Sequence, residues 1–225
     1  FLLRRQRQMC IRDRRCIAAI DESLGKVIES LEAIGELENT VIIYSSDNGY
    51  FLGEHTFNDK RLAYENSIRV PMLIRYPKLI KKNSEVNEQC LNIDIAPTIL
   101  DLAGIEVPAY MQGESMVDLL KGHNSNDWRN SILFEYYLDT YWPYAGPNQI
   151  AVRTERYKLV DAFLKNDIDE LYDLKNDPGE MKNLIGISEY DTIEEELRKE
   201  ANRLKEKYKY RADRDWWLRK VKKNN

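Results

Sequence analysis

Between residues 47 and 61 the chain gathers side chains able to hold a metal ion and an anion: Asp47-Asn48-Gly49, then His55, then Asp59-Lys60-Arg61. A carboxylate beside an amide oxygen offers two hard donors, which suits Ca²⁺ or Mg²⁺. No Cys or His pair lies close by in sequence, which argues against zinc. Two donors fall short of the roughly six to eight oxygens that Ca²⁺ takes, so further ligands must come from elsewhere. Asp-Asn-Gly is equally a good turn sequence. Lys60 reads either as a point charge for an anionic substrate or as a solvated surface lysine. His55 fits a proton donor, a substrate contact or a structural hydrogen-bonder, and its sequence context leaves all three open. The other histidine, His123, sits in a Gly-His-Asn-Ser loop and reads as solvent-facing.

These side chains need elements to position them. The β-branched run at 40–44 predicts a buried strand that stops at Ser45-Ser46. Asp47 and Asn48 then lie at a strand's carboxyl end, where open α/β sheets bind ligands. Upstream, Ile17, Ile20, Leu24, Val27, Ile28, Leu31 and Ile34 fall at steps of three and four, an amphipathic helix closed by Gly35. Helix followed by buried strand is the unit of a parallel α/β sheet. Downstream, 72–74 predicts a second strand between Pro71 and Pro77, and 80–88 a loop. Residues 94–104 predict a helix with Asp94 near its N-cap, Pro97 in its first turn and Gly104 at its end. A short helix is expected at 115–121, stopped by Gly122. Short strands follow at 132–137, 150–153, 157–160 and 170–174, with turns at 154–156 and Asp177-Pro178-Gly179. Thr192-x-x-Glu195 predicts a capping box opening a helix whose apolar positions are Ile193, Leu197, Ala201, Leu204 and Tyr208.

Bulk properties exclude some function classes. With 225 residues, 43% of them hydrophobic, the chain can bury a sizeable core in one domain or two. The net charge is −4, but residues 1–15 carry six Arg against one Asp, and 209–225 seven Lys or Arg against two Asp. The body between them is therefore acidic, which argues against a nucleic-acid surface. No apolar run approaches the ~20 residues of a membrane span, and residues 1–15 lack the apolar stretch of a signal peptide. Cys10, Cys16 and Cys90 show neither metal spacing nor a framework of pairs. Residues 1–15 are Arg-dense and without periodicity. They resemble translated sequencing-adapter read-through and are expected to be a non-native arm, with a basic arm for an acidic partner as the alternative. Trp216 and Trp217 are expected to anchor the basic tail onto the body, with a nucleic-acid or polysaccharide surface as the alternative. Tyr136, Tyr137, Tyr141, Trp142 and Tyr144, preceding Arg153, either pack between subdomains or line a sugar pocket.

Several ordered motifs together resemble the sulfatase family. They are Asn39-Thr40-Val41-Ile42-Ile43-Tyr44-Ser45-Ser46-Asp47-Asn48-Gly49, Leu52-Gly53-Glu54-His55, Asp59-Lys60, and Tyr64-Glu65-Asn66-Ser67-Ile68-Arg69-Val70-Pro71. The similarity extends upstream to Ala19-Ile20-Asp21-Glu22-Ser23-Leu24-Gly25 and downstream to Asp94-Ile95-Ala96-Pro97-Thr98-Ile99-Leu100-Asp101, then Arg156-Tyr157-Lys158-Leu159 and Glu170-Leu171-Tyr172-Asp173-Leu174 with Asp177-Pro178. It is nearest to glycosaminoglycan-type members such as the N-acetylglucosamine-6-sulfatases, and it covers roughly residues 16 to 185.

The resemblance implies an alkaline-phosphatase-like α/β fold. That fold is a mostly parallel sheet flanked by helices, here partial, with a small C-terminal antiparallel sheet plus helix. It implies three segments: the arm at 1–15, the C-terminal half of the catalytic α/β domain at 16–125, and a C-terminal subdomain at 126–225. It implies hydrolysis of sulfate esters of a sulfated carbohydrate at a Ca²⁺ site, with Mg²⁺ as the alternative. Asp47 and Asn48 would be metal ligands, Lys60 would contact the sulfate, and His55 would belong to the active-site loop. Such sulfatases are periplasmic, extracellular or lysosomal; oligomeric state is left open.

One departure matters. The family carries a Cys-x-Pro/Ala-Ser/Thr-x-Arg-type motif whose cysteine or serine becomes the formylglycine nucleophile. Cys10 is followed by Ile-Arg-Asp-Arg, Cys16 by Ile-Ala-Ala-Ile and Cys90 by Leu-Asn-Ile-Asp, and none fits. The chain is thus expected to hold the second part of a sulfatase site and, alone, to be inactive. Two alternatives stand beside this reading: a phosphate or phosphonate monoester hydrolase of the same superfamily, against which Asn48 tilts, and a non-catalytic protein that binds sulfated glycans.

Overall fold

The structure is a computed structural model, and it describes residues 2–123, 127–136, 149–162 and 168–210. The chain forms two compact units. One comprises residues 1–44 and 73–84, the other 45–72 and 85–225. The expected boundary at 125/126, Tyr137, Tyr141, Trp142, Tyr144 and the Trp216-Trp217 pair lie outside the described residues.

The first unit is led by helix α1 (Leu2–Ala33). The aperiodic, Arg-rich start is therefore helical and continuous with the amphipathic stretch. Gly35 ends the helix with φ +74, a conformation that glycine adopts without the Cβ penalty. The predicted apolar stripe is present, but Ile17, Ile20, Val27 and Ile34 remain exposed within the described chain. Strand β1 (Ile42–Ser45) pairs with β2 (Met72–Arg75) in a two-stranded sheet. Both strands fall where predicted. Burial does not: all four β1 residues are half-buried, because β2 is the strand's single partner among the described residues. Arg75 donates through Nη1 to the Leu37 carbonyl at 2.9 Å and pairs with Glu38, which ties β2 to the turn entering β1.

The second unit contains α2 (Glu65–Ile68), α3 (Ile95–Leu102), α4 (Val117–Leu120), strands β3 (Ser131–Tyr136), β4 (Gln149–Thr154), β5 (Tyr157–Ala162) and β6 (Glu170–Asp173), and α5 (Asp191–Lys207). The four strands form the expected antiparallel sheet in the order β3-β4-β5-β6. Val152 lies opposite Leu159, and Leu159 opposite Leu171. Because side chains alternate between faces, these three share one face. There they pack with Leu184 against Leu197, Ala201 and Leu204 of α5, the helix's predicted apolar stripe. The predicted capping box is absent. A 3₁₀ turn at Ser188–Tyr190 runs directly into α5, so the helix begins before Thr192, with Tyr190 at the cap and no capping side chain.

The opposite face carries Gln149, Ala151, Arg153, Lys158, Val160, Glu170 and Tyr172 by the same alternation. Ala151 and Val160 bury Ala63 there. The apolar face thus holds the subdomain together, and the mixed face holds the segment that follows Lys60.

The α5 seam supplies a direct check. Leu204 is buried, so Leu204→Ala is expected to cost about 2–5 kcal/mol of unfolding free energy. Urea denaturation followed by circular dichroism reads this out, and a cost below about 1 kcal/mol contradicts the seam.

Candidate active-site segment

Asp47 and Asn48 form a turn two residues past β1, and both belong to the second unit. The Asp47 side chain is exposed; its Oδ1 accepts the Asn48 N–H at 2.9 Å. Asn48 donates through Nδ2 to the Gly49 carbonyl at 2.8 Å, which leaves its Oδ1 as an acceptor. This donor set fits a hard divalent cation in kind, because both open groups are oxygens. It does not fit one in number: no group of three or more His, Cys, Asp or Glu able to hold a metal occurs among the described residues.

The turn is gripped through its backbone from two sides. On one side Asn92 donates through Nδ2 to the Ser46 carbonyl at 2.8 Å and to the Asp47 carbonyl at 3.4 Å. Asn92 opens a 3₁₀ turn (Asn92–Asp94) anchored by Asp94, which is fully buried. The Asp94 carboxylate accepts the N–H groups of Leu91 at 2.7 Å and Glu114 at 2.9 Å, and the Arg129 fork binds it on both oxygens. Asp94 does stand at the N-terminus of α3, as predicted. Its carboxylate serves these partners instead of capping the helix. On the other side the Gly49 N–H donates to the Ser67 carbonyl of α2 at 2.7 Å. A Cβ at Gly49 would lie 2.1 Å from the Asn66 carbonyl oxygen, so only glycine permits this approach.

His55 and Lys60 occupy the loop that follows. Gly53, His55 and Thr56 have positive φ values of 118°, 50° and 64°. Two non-glycine residues in this region store strain, a pattern associated with functional loops. The His55 ring stacks on Tyr64 with centroids 4.1 Å apart and meets Phe51 edge-on. The structure thus shows a ring-packing contact, which is none of the three roles the sequence left open. Lys60 is exposed, and its ammonium has no ion pair among the described residues. Its backbone N–H donates to Asp59 Oδ1 at 2.7 Å, and Asp59 also pairs with Arg61 at 3.4 Å.

Residues 63–65, immediately beyond, are bound one after another by the mixed face of the sheet. The Ala63 N–H donates to Gln149 Oε1 at 3.0 Å. The Tyr64 hydroxyl donates to Glu170 Oε1 at 3.2 Å. Burial pushes the Tyr64 phenol up to about 12, so it stays protonated as the donor, and burial also raises Glu170. Glu65 accepts a fork from Arg153, at 3.0 Å from Nε and 3.1 Å from Nη2, and a bond from Lys158 Nζ at 3.3 Å. Its own N–H donates to Glu180 Oε2 at 2.6 Å, and Lys158 pairs with Glu180 in turn. Burial alone would raise the Glu65 carboxyl, but the Arg153 bonds and the Lys158 charge outweigh it and hold Glu65 below the usual range. For Glu180 burial wins, and its pKa is raised.

Sequence reasoning singled out none of Glu65, Asn92, Lys158 or Glu180. A signal existed for Lys158: the alternation of β5 puts it on the same face as Val160, and a lysine on a covered face must find a carboxylate. No local pattern marks Asn92.

Residues 53–207 match the family described as N-sulphoglucosamine sulphohydrolase, C-terminal. Over 199 residues, 86% of this chain, the sequence is 42% identical to an N-acetylglucosamine-6-O-sulfatase of Bacteroides thetaiotaomicron and covers 35% of it. A protein solved in complex with its substrate, D-glucosamine-2-N,6-O-disulfate, is similar with a TM-score of 0.82 and 40% identity, over 87% of this chain and 40% of that one. A phosphonate monoester hydrolase of Agrobacterium radiobacter is similar with a TM-score of 0.77 and 26% identity, over 85% of this chain and 40% of that one. The chain spans well under half the length of the curated relatives it matches.

The buried charges predict a pH dependence. A carboxyl whose folded pKa is lowered adds stability above its unfolded pKa and loses it as pH falls through the folded value. Glu65 is such a group, so Glu65→Gln should cost about 3–5 kcal/mol at pH 7. That difference from the parent should shrink as pH drops below 4.5, the ordinary glutamate value. Urea midpoints measured from pH 7 to pH 3 check this, and a constant difference contradicts it.

Proposed function

Because the chain belongs to the sulfatase family, we propose that it is the C-terminal part of an enzyme that hydrolyses sulfate esters of glucosamine-type sulfated carbohydrate. Its fold is the corresponding part of the alkaline-phosphatase-like fold of the solved sulfatases. The observation that carries the substrate class is the likeness, at 40% identity, to the protein solved with a sulfated glucosamine.

The side chains support the chemistry. A sulfate monoester concentrates negative charge on its non-bridging oxygens, and that charge must be stabilised as the ester bond breaks. Lys60, exposed and without an ion pair among the described residues, supplies a cation for those oxygens. Asp47 and Asn48 would contribute two oxygen ligands to Ca²⁺, with the rest coming from outside this chain. When bound, the ion supplies Lewis-acid stabilisation of the same oxygens. His55, held over Tyr64, lies in the loop that leads to Lys60 and offers the substrate a polar ring edge. The nucleophile, a formylglycine on this reading, also comes from outside the chain. The residues after Cys90, Leu-Asn-Ile-Asp, do not fit the formylglycine motif, and burial, aided by the nearby Asp94, raises its thiol to about 11, so little thiolate exists there at neutral pH.

A second reading, a phosphonate or phosphate monoester hydrolase, draws on the likeness to the Agrobacterium radiobacter enzyme. Assay of the complete enzyme on matched sulfate and phosphate monoesters separates the two. Sulfate preference and loss of activity in EDTA are expected, whereas phosphate preference overturns the first reading. Lys60→Ala should lower kcat/KM by about 10²–10³, as removal of one transition-state donor does elsewhere. The 225-residue chain by itself should give no turnover on either ester.

A further inference from the structure

Asp47 is exposed and Asn48 half-buried, and their side chains bond to the backbone of the turn itself, at the Asn48 N–H and the Gly49 carbonyl. Their orientation therefore has to come through the backbone. Asn92, Ser45 and Gly49 make the hydrogen bonds that do this, and those of Asn92 and Gly49 lead back to buried charge clusters. Asn92 holds the Ser46 and Asp47 carbonyls and begins the 3₁₀ turn that ends at Asp94, locked by Arg129. Ser45 adds a bond from Oγ to the Pro71 carbonyl at 3.0 Å, with a longer approach to Asn92 Oδ1 at 3.4 Å. Gly49 bonds Ser67, two residues beyond Glu65 on α2, and packs its Cα against the Asn66 carbonyl with no room for a methyl group. Glu65 is fixed by Arg153, Lys158 and Glu180, of which Lys158 and Glu180 are fully buried. Tyr64, adjacent to Glu65, carries the stacked His55.

We infer that Glu65 and Asn92 are positioning residues, which aim the Asp47 and Asn48 oxygens by clamping the backbone of residues 46–49 from opposite sides. The inference rests on the reading of those two residues as cation ligands. On this inference Glu65 and Asn92 act on the backbone of the turn and not on the ion or the substrate. Glu65 acts through α2 and the Gly49–Ser67 bond, and Asn92 acts directly on two carbonyls. The turn and α2 lie close enough at this point that a Cβ on Gly49 would sit 2.1 Å from the Asn66 carbonyl oxygen, so a displacement of α2 is felt directly by the Gly49 backbone. Loss of either clamp should then loosen the turn and weaken the cation without altering the ligands themselves.

Two readouts test this, one independent of activity. In hydrogen exchange on the chain, Glu65→Gln should reduce protection of the Gly49 amide by about tenfold or more, while amides of β4 and β5 keep theirs. In the complete enzyme, Glu65→Gln and Asn92→Ala should each raise the Ca²⁺ concentration for half-maximal activity about 10–100-fold, the usual effect of losing a supporting partner of a ligand. KM at saturating Ca²⁺ should stay close to the parent value. Asn92 is exposed and uninvolved in any buried ion pair, so Asn92→Ala tests the inference even if Glu65→Gln does not fold. Unchanged Gly49 protection in folded Glu65→Gln, or an unchanged Ca²⁺ requirement in Asn92→Ala, overturns it. A parent enzyme without any sulfate-ester activity would instead overturn the functional reading, and the exchange result would still report on the clamp.

Discussion

Lys158 sets the terms for the second unit. Its ammonium is completely buried, and an ion removed from water costs several kcal/mol unless counter-charges and hydrogen bonds replace the lost solvent. Glu180 and Glu65 provide the charges, and Arg153 balances the second carboxylate, so the four groups form a neutral cluster. Such a cluster is weak ground for claiming stability, since an apolar replacement often does as well. Its consequence here is geometric. Charges that must meet in a dry interior admit few alternative arrangements, so α2, the 177–180 turn and strands β4 and β5 share one register.

That register reaches the candidate site through short links. The sheet binds residues 63, 64 and 65 in succession, Tyr64 carries His55, and Ser67 holds Gly49. The Asp94–Arg129 pair performs a parallel task on the other side, through Asn92. Both anchors are buried, whereas Asp47 and Lys60 are exposed. This division suits a site for a charged ligand: groups that must be open to solvent are aimed by backbone, and the backbone is aimed by groups closed to solvent. The left-handed residues around His55 fit the same picture, since strain persists where surrounding contacts over-determine a loop.

Local patterns carried much of the architecture. The two faces of the antiparallel sheet follow from period-two alternation in 150–153 and 157–160, and the α5 stripe from steps of three and four. Where prediction failed, neighbours in space were the reason. The capping box at Thr192 gave way to a 3₁₀ turn that moved the start of the helix. The strand at 42–45 has the expected composition but only half the burial, because burial depends on what lies above and below a sheet. Residues 2–15, without periodicity, still continue the following helix.

For the site, residue type and order were enough to mark Asp47, Asn48, His55 and Lys60 and to resemble a family, because hard donors, a cation and a turn occur there within a few residues. They could not mark Glu65, Asn92, Lys158 and Glu180 as one apparatus. Glu65 and Glu180 stand more than a hundred residues apart, and the bond between them has no trace in local sequence. A glutamate in a polar stretch looks the same whether it faces solvent or a buried lysine. Sequence determined which groups are present and which periodic face each one occupies, since both follow from covalent order. Tertiary structure decided which charges are removed from water and must therefore find one another, and with them which groups hold the backbone of residues 46–49.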